Sequence, residues 1–222
     1  MTKLCCICMA LLLPLGGCNN TPSTDPASNS DNRPPDSQRL ATQITRLNMI
    51  EPYNPESLDR VRLNDAGQIV ALGMRESVFD DQDMAMLAEM HHLELLAASE
   101  CAISDAGMQH LSHMTALTSI YFENTDITSD GLREVAGCTD MARAYLSGTR
   151  IDDSAADTIL GWRALTFINV GDTRVTEDGI RRILTLPKLE TIVVDTTQLD
   201  ADTRDALAAQ YTDIRFIALP PE

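Results

Sequence analysis

The chain has 222 residues, of which 44% are hydrophobic, and its 33 acidic and 17 basic side chains give a net charge of −16. This length and hydrophobic fraction suit a folded protein of one or two domains. The negative charge repels phosphate backbones, so we do not expect a nucleic acid as a partner. Only nine residues are aromatic (four Phe, four Tyr and one Trp), so the core must be built from aliphatic side chains.

The N-terminus has the composition of a bacterial export signal. Lys3 precedes an apolar run over residues 4–15, which is shorter than the roughly 20 residues that span a bilayer. The Leu-Gly-Gly-Cys sequence that ends at Cys18 resembles the lipobox of bacterial lipoproteins. That resemblance implies removal of residues 1–17 as a signal peptide and attachment of acyl chains such as palmitate at Cys18. The alternative is an ordinary signal peptide in which this cysteine is incidental.

The lipobox resemblance also implies a location in the cell. Two or three acyl chains give stable membrane anchoring, so the mature protein is expected to be exported and lipid-anchored to the cell envelope. Asn19 stands where lipoproteins retained at the enterobacterial inner membrane have Asp, which favours the outer membrane.

Two segments are predicted between the anchor and the repeats. The segment 18–35 begins with Cys18, and its remaining residues are small, polar or Pro. They cannot bury enough area to offset the entropy of ordering and should form a flexible tether. Residues 36–66 should contain an N-terminal cap helix and the start of a hairpin. Leu40, Ile44 and Leu47 fall on one helix face, and apolar residues alternate on both sides of a turn at 64–67.

From residue 67 onward the sequence repeats every 24 residues through six blocks without a gap, which defines a repeat domain over residues 67–222. Block positions 3, 6, 8, 13 and 21 are apolar in every block. In the first block they are Ile69, Leu72, Met74, Phe79 and Leu87. The alternation of positions 6 and 8 indicates a strand, and the spacing of positions 18 and 21 indicates a helix face.

Polar residues precede each predicted helix at block positions 14–16. Ser, Thr and Asp at these positions are typical of N-caps, and the acidic ones suit the positive end of the helix dipole. Calcium binding is the alternative interpretation of the Asp residues, but they lack the spaced ligands and final Glu of a calcium loop. Gly follows at position 17 in three blocks, as Gly107, Gly131 and Gly179.

This pattern resembles the leucine-rich repeat family, most clearly at residues 117–132 and 165–179. The resemblance covers about residues 67–219 and implies an α/β solenoid, with a curved parallel sheet on the concave face and short helices on the convex face. Ser, Cys or Thr at position 11 should bond to backbone groups of the turn. The fourth block departs with Ala144, Ala155 and Ala156, so a looser turn is expected there. A final strand with Ile214, Ile217 and Leu219 is expected to arrive one residue late.

No motif in the mature chain predicts catalysis, so the protein is expected to be a non-enzyme without a cofactor. Cys101 and Cys138 occupy block positions on opposite sides of the turn and should be buried thiols rather than a disulfide. The four histidines lie within a short span, and the i, i+3 pair among them is compatible with a shared metal. The alternative is that they are exposed polar residues. They are His91, His92, His110 and His113.

Positions 5, 7 and 9 should face the concave side, because positions 6 and 8 face the core. Tyr121, Tyr145 and Phe167 would then lie on adjacent strands about 5 Å apart. The surrounding polar residues at these positions include Arg143, Glu123 and Asn169. Aromatic residues and Arg dominate binding hot spots, so these six residues are the candidate binding surface for a protein, peptide or glycan. The alternative is that Tyr and Phe stand here only as good strand formers.

Two functions remain open at this stage. Solenoids expose long concave surfaces, which favours a membrane-anchored scaffold that binds a partner. The alternative is a structural envelope component that self-associates without a specific ligand.

Overall fold

A computed structural model of the protein describes residues 60–74 and 79–220. The predicted signal peptide, the lipidated Cys18, the tether and the cap helix lie outside the described residues. Within them, eight strands form one sheet in chain order. The strands are β1 (Arg60–Leu63), β2 (Ile69–Gly73), β3 (Leu95–Ala97), β4 (Ser119–Tyr121), β5 (Arg143–Tyr145), β6 (Phe167–Asn169), β7 (Thr191–Asp195) and β8 (Arg215–Leu219).

The strand pairing has one antiparallel step followed by parallel steps. β1 and β2 pair antiparallel across a turn in which Asn64 Oδ1 accepts from the backbone N–H groups of Ala66 and Gln68, so the predicted hairpin is present. From β2 to β8 every pair is parallel. A short helix follows each of strands β2 to β7. The helices are α1 (Asp81–Met84), α2 (Asp105–Met108), α3 (Ser129–Leu132), α4 (Ala155–Ile159), α5 (Glu177–Ile183) and α6 (Ala201–Gln210).

The core follows the 24-residue register. The five apolar positions in six blocks are thirty residues, and all thirty are buried. Trp162 is fully buried beside them, and its indole N–H donates to the Val135 carbonyl at 3.2 Å. Each repeat therefore buries its strand and helix against the next repeat, which confirms the predicted α/β leucine-rich repeat solenoid.

The last strand does not arrive late. Thr191 pairs with Arg215 and Ile192 pairs with Phe216, so the 24-residue step continues into β8. The expectation of a one-residue shift was wrong because it rested on the apolar residue Ile214, which precedes the strand. The hydrogen-bond ladder with β7 sets the register, and it places Phe216 rather than Ile217 on the core side.

Block position 10 adopts the left-handed backbone conformation in four successive repeats. The φ angles are 60° at Glu100, 54° at Asn124, 66° at Gly148 and 51° at Asp172. This conformation reverses the chain at the end of the strand, and it is unfavourable for most residues with a Cβ. Gly148 avoids that cost, and a Cβ there would also overlap the side chain of Asn124.

In three repeats the Thr at block position 11 satisfies a carbonyl at the end of the strand, as predicted, whereas Thr197 donates to the Asp195 carboxylate. The hydroxyls of Thr125, Thr149 and Thr173 donate to the carbonyls of position 8 in their own repeats, at 2.8, 2.6 and 2.6 Å. Cys101 instead donates to the Met74 carbonyl at 2.6 Å, which is position 8 of the preceding repeat. The position 8 carbonyls of Met74, Phe122, Leu146 and Val170 therefore each accept a side-chain hydrogen bond.

The polar residues at block positions 14 and 15 have separate roles. Thr128 at position 14 caps its own helix, because its Oγ1 accepts from Asp130 N at 3.1 Å. Asp105 at position 15 instead reaches the next repeat, where it accepts from the N–H and hydroxyl of Thr128 at 2.8 and 2.7 Å. We call this contact the aspartate ladder. Asp81 makes the same pair of bonds to Ser104, and Asp153 makes it to Thr176.

The aspartate ladder explains the glycines at position 17. A Cβ on Gly131 would overlap the Asp105 carboxylate, and one on Gly107 would lie 2.5 Å from Asp81 Oδ1. The junction between the third and fourth repeats replaces both partners, with Ser129 of the third repeat in place of the Asp and Ala155 of the fourth in place of the Gly. The Ser129 hydroxyl accepts from Asp152 N at 2.9 Å and donates to Asp152 Oδ1 at 2.8 Å. The shorter Ser leaves room for the alanine methyl group.

Candidate functional site: the concave aromatic surface

The three candidate aromatic residues stack along the concave side of the sheet. Tyr121 and Tyr145 have ring centroids 4.3 Å apart with planes 12° from parallel. Tyr145 and Phe167 have centroids 4.5 Å apart with planes at 28°. The strand register brings them together, because Tyr121 pairs directly with Tyr145 and Arg143 pairs with Phe167. Both faces of the Tyr145 ring are therefore covered by a neighbouring ring.

The stack is less exposed at its N-terminal end than the sequence pattern predicts. Tyr121 retains only 9% of its surface, because it packs with Ala71, Leu95 and Ala97 on the same side of the sheet. Burial raises the pKa of the Tyr121 hydroxyl, and the nearby Tyr145 hydroxyl raises it further. Tyr145 and Phe167 are half-buried, so the accessible part of the stack lies over β5 and β6.

The polar candidates differ in how far neighbouring side chains already engage them. Glu123 accepts a hydrogen bond from the Ser99 hydroxyl. Asn169 donates to Ser147 Oγ at 3.2 Å and accepts from Gly171 N at 3.0 Å. Both side chains therefore already form hydrogen bonds within the protein.

Arg143 offers the most available charge on this surface. Its side chain is exposed, and its Nε donates to Ser119 Oγ at 3.2 Å, which fixes the base of the guanidinium group beside the rings. Because the side chain is exposed, a ligand can reach the guanidinium group. This group binds carboxylates in a bidentate geometry.

Asp195 occupies the same block position as Glu123 but serves the fold. It is buried, and it accepts from Thr197 N at 2.6 Å, Gln198 N at 3.1 Å and Asp172 N at 2.8 Å. Burial alone would raise the pKa of this carboxyl, but the hydrogen bonds from Thr197, Asp172 and Gln198 outweigh it and hold the pKa below its usual value. The carboxylate ties the end of β7 to the preceding turn.

The histidines are dispersed over exposed positions. His91, His92 and His113 are exposed and His110 is half-buried. In the described ranges, no three His, Cys, Asp or Glu residues converge to form a metal site.

The two cysteines of the repeat domain are buried, as expected, and neither is in a disulfide. The Cys138 thiol donates to the Met114 carbonyl at 3.2 Å, and burial raises its pKa to about 11. The reactive thiolate is therefore scarce near neutral pH.

We expect both thiols to resist labelling in the folded protein. At pH 8, a thiol with this pKa is ionised in only about one molecule in a thousand, and burial also denies access to the reagent. Titration with an aromatic disulfide reagent should detect Cys101 and Cys138 only after denaturant is added. Rapid labelling of Cys138 in the native protein would contradict the burial that the structure shows.

Among the helices of the described residues, none is long and apolar enough to cross a bilayer. No family model matches the sequence, and no curated protein matches it either.

Solved structures with a similar fold do exist. The chain is similar to a leucine-rich repeat protein of Leptospira interrogans, with 11% identity over 60% of this chain and 33% of that chain and a TM-score of 0.45. It is also similar to an internalin from Listeria monocytogenes (16% identity, 84% of this chain and 56% of that one, TM-score 0.46). Internalin C2 of the same species gives 14% identity, 67% and 69% coverage, and a TM-score of 0.43. The chain thus spans between a third and about half the length of the first two, and at these identities the likeness concerns the fold alone.

Proposed function

We propose that this protein is a lipid-anchored scaffold of the bacterial cell envelope that binds a protein or peptide partner on its concave face. The observation that carries the proposal is the stack of Tyr121, Tyr145 and Phe167 with the exposed Arg143 beside it. Large aromatic area next to an arginine is the composition of binding hot spots. A sheet with a purely structural role would need no exposed guanidinium group held beside these rings.

The geometry of the stack favours a protein or peptide over a glycan. Sugars are bound mainly through the open face of an aromatic ring, and both faces of Tyr145 are occupied. Tyr145 and Phe167 are half-buried, so part of each ring remains accessible. These rings suit edge-on contacts with apolar or aromatic side chains. Arg143 would receive a carboxylate of the same partner, which fixes its orientation.

The proposal of an anchor rests on Leu-Gly-Gly-Cys at residues 15–18, which lie outside the described part of the structure. We expect Cys18→Ser to prevent lipid attachment, because serine lacks the thiol that accepts the acyl-bearing group. The variant should leave the detergent phase in a phase-partitioning experiment and accumulate as an uncleaved or soluble form. A variant that partitions into detergent like the wild type would refute the lipoprotein assignment.

The concave surface is tested by site-specific photocrosslinking in intact cells. A photoreactive phenylalanine analogue at Phe167 should capture the partner, whereas the same analogue at Arg181 on the helix side should not. Arg181 is a matched control, because it is exposed and pairs with Glu177 on its own helix.

Binding to the captured partner is then compared among variants. Arg143→Ala and Phe167→Ala should each weaken binding by more than about 1 kcal/mol, the usual hot-spot threshold, while Arg181→Ala should leave it unchanged. Trp162 fluorescence reports that each variant remains folded. Capture of only a second copy of the same chain at Phe167 would favour a self-associating envelope component instead. Loss of binding in Arg181→Ala alone would move the binding surface to the helix side.

A further inference from the structure

The strand β8 leaves one edge of the sheet open. It pairs with β7 on one side, and no described strand lies on its other side. Phe216 and Ala218 share block positions 6 and 8 with Ile192 and Val194, which are fully buried, but both are only half-buried themselves. Leu219 is 48% exposed. The apolar column of the solenoid is therefore incompletely covered at this end.

The backbone of β8 presents hydrogen-bonding groups at the open edge. Arg215 N donates to the Glu190 carbonyl at 2.7 Å, and the Leu219 carbonyl accepts from Thr196 N at 3.0 Å, so these alternate residues point toward β7. The intervening residues, Phe216 and Ala218, must point their N–H and C=O groups the other way. An open edge of this kind is a template for another strand. The occupant that satisfies both the backbone groups and the apolar side chains is therefore a β-strand.

We propose that the occupant is the β8 strand of a second copy, paired antiparallel about a two-fold axis at Ile217. In this register Phe216 lies opposite Ala218 of the other copy, so a large side chain meets a small one on the core side in both halves. The two Phe216–Ala218 pairs exchange the four free backbone hydrogen bonds. The dimer continues the hydrogen-bonded sheet and its apolar column across the axis.

Backbone geometry and the flanking residues select this arrangement. A parallel pairing through the same edge requires a stagger of one residue, which would set Phe216 and Ala218 of the two copies on opposite sides of the sheet and interrupt the apolar column. The antiparallel register instead sets Arg215 opposite Leu219. Pro220 and Pro221 follow directly and cannot donate to a ladder, which confines the pairing to these five residues. An isologous contact of this kind closes on itself, so the product is a dimer rather than a fibre.

Cysteine crosslinking tests the axis and the register in the full chain as processed by a bacterial host. At the axis the two Ile217 Cα atoms form a non-hydrogen-bonded pair about 4.5 Å apart, which is within reach of a disulfide. Ile217→Cys should therefore give a disulfide-linked dimer under mild oxidation. Leu219→Cys should not crosslink to itself, since its copies would lie roughly 13 Å apart along the strands. Co-expressed Arg215→Cys and Leu219→Cys chains should crosslink to each other.

Sedimentation of the purified full chain in detergent supplies a measurement that does not depend on cysteine. The wild type should sediment as a dimer, and Ile217→Lys should raise its dissociation constant at least about tenfold by placing two like charges at the axis. The thermal midpoint of the dissociated variant, measured by Trp162 fluorescence, should show that it still folds.

Three results would each overturn the proposal: a monomeric wild type, a dimer unaffected by Ile217→Lys, or self-crosslinking of Leu219→Cys. So would crosslinking of Ile217→Cys to a different protein. Concave-face variants such as Arg143→Ala leave this result unchanged, so the two proposals fail separately.

Discussion

We expect Ile127→Asp to abolish most of the stability of the repeat domain. Ile127 lies at block position 13 in the turn between β4 and α3, and its side chain is completely buried. An unpaired carboxylate there would cost several kcal/mol, which is a large share of the roughly 5–15 kcal/mol that stabilises a domain. Because each repeat packs on its neighbours, the loss should spread to the adjoining repeats. Urea unfolding followed by Trp162 fluorescence measures it.

The control for Ile127→Asp introduces the same charge on the surface. Thr139 is an exposed loop residue in the next repeat, and Thr139→Asp should change the free energy of unfolding by less than about 0.5 kcal/mol. Similar urea midpoints for the two variants would mean that the 24-residue register does not define the core.

The second large effect is expected at Gly131 in the aspartate ladder. Replacing a helical glycine by alanine ordinarily stabilises a protein by about 0.5–1 kcal/mol. Here the new Cβ would overlap the Asp105 carboxylate and lie 3.1 Å from the Asp105 Cα. We therefore expect Gly131→Ala to destabilise the domain by about 1–3 kcal/mol, the usual cost of overpacking. The reversed sign is the diagnostic result, and urea unfolding measures it.

A double-mutant cycle isolates the cause. In an Asp105→Ser background the neighbour of Gly131 has the length of Ser129, which already faces Ala155 at the junction between the third and fourth repeats. The penalty of Gly131→Ala should shrink there, with a coupling energy of about 0.5–3 kcal/mol. Equal penalties in both backgrounds would show that the glycine is required for another reason.

The repeat architecture was predictable because burial imposes a strict period on the sequence. The block position that Ile151 occupies must be apolar in every repeat, so the 24-residue period alone places this residue in the core. The same reasoning failed at β8, where Ile214, Phe216, Ile217 and Leu219 are all large and apolar. Hydrophobicity cannot choose a register in such a run, whereas backbone pairing with β7 can.

The left-handed turns and the aspartate ladder left weaker signals in the sequence. Asn124, Gly148 and Asp172 belong to the residue types that tolerate positive φ, but Glu100 does not, so composition alone is ambiguous. The ladder joins position 15 of one repeat to positions 14 and 17 of the next. Comparison of residues within a single block cannot find it, although comparison across blocks would pair Asp105 with Gly131 and Ser129 with Ala155.

The placement of the candidate site followed from register, and its exposure did not. Once the strands are aligned in steps of 24, Tyr121, Tyr145 and Phe167 must be neighbours. Whether a concave side chain is accessible depends on its surroundings in three dimensions. Tyr121 is buried by Leu95 and the alanines beside it, a packing arrangement that alternation along one strand does not reveal.

The contact between Asp105 and Gly131 also means that one repeat cannot be placed next to any other repeat. Excision of residues 115–138 would bring Asp105 against Ala155, so a carboxylate would meet a methyl group. Excision of residues 139–162 would bring Ser129 against Gly179, a combination without that clash. Blocks of identical length and hydrophobic pattern thus differ in which neighbour they accept, so shortening or duplicating this solenoid is permitted at some junctions and resisted at others.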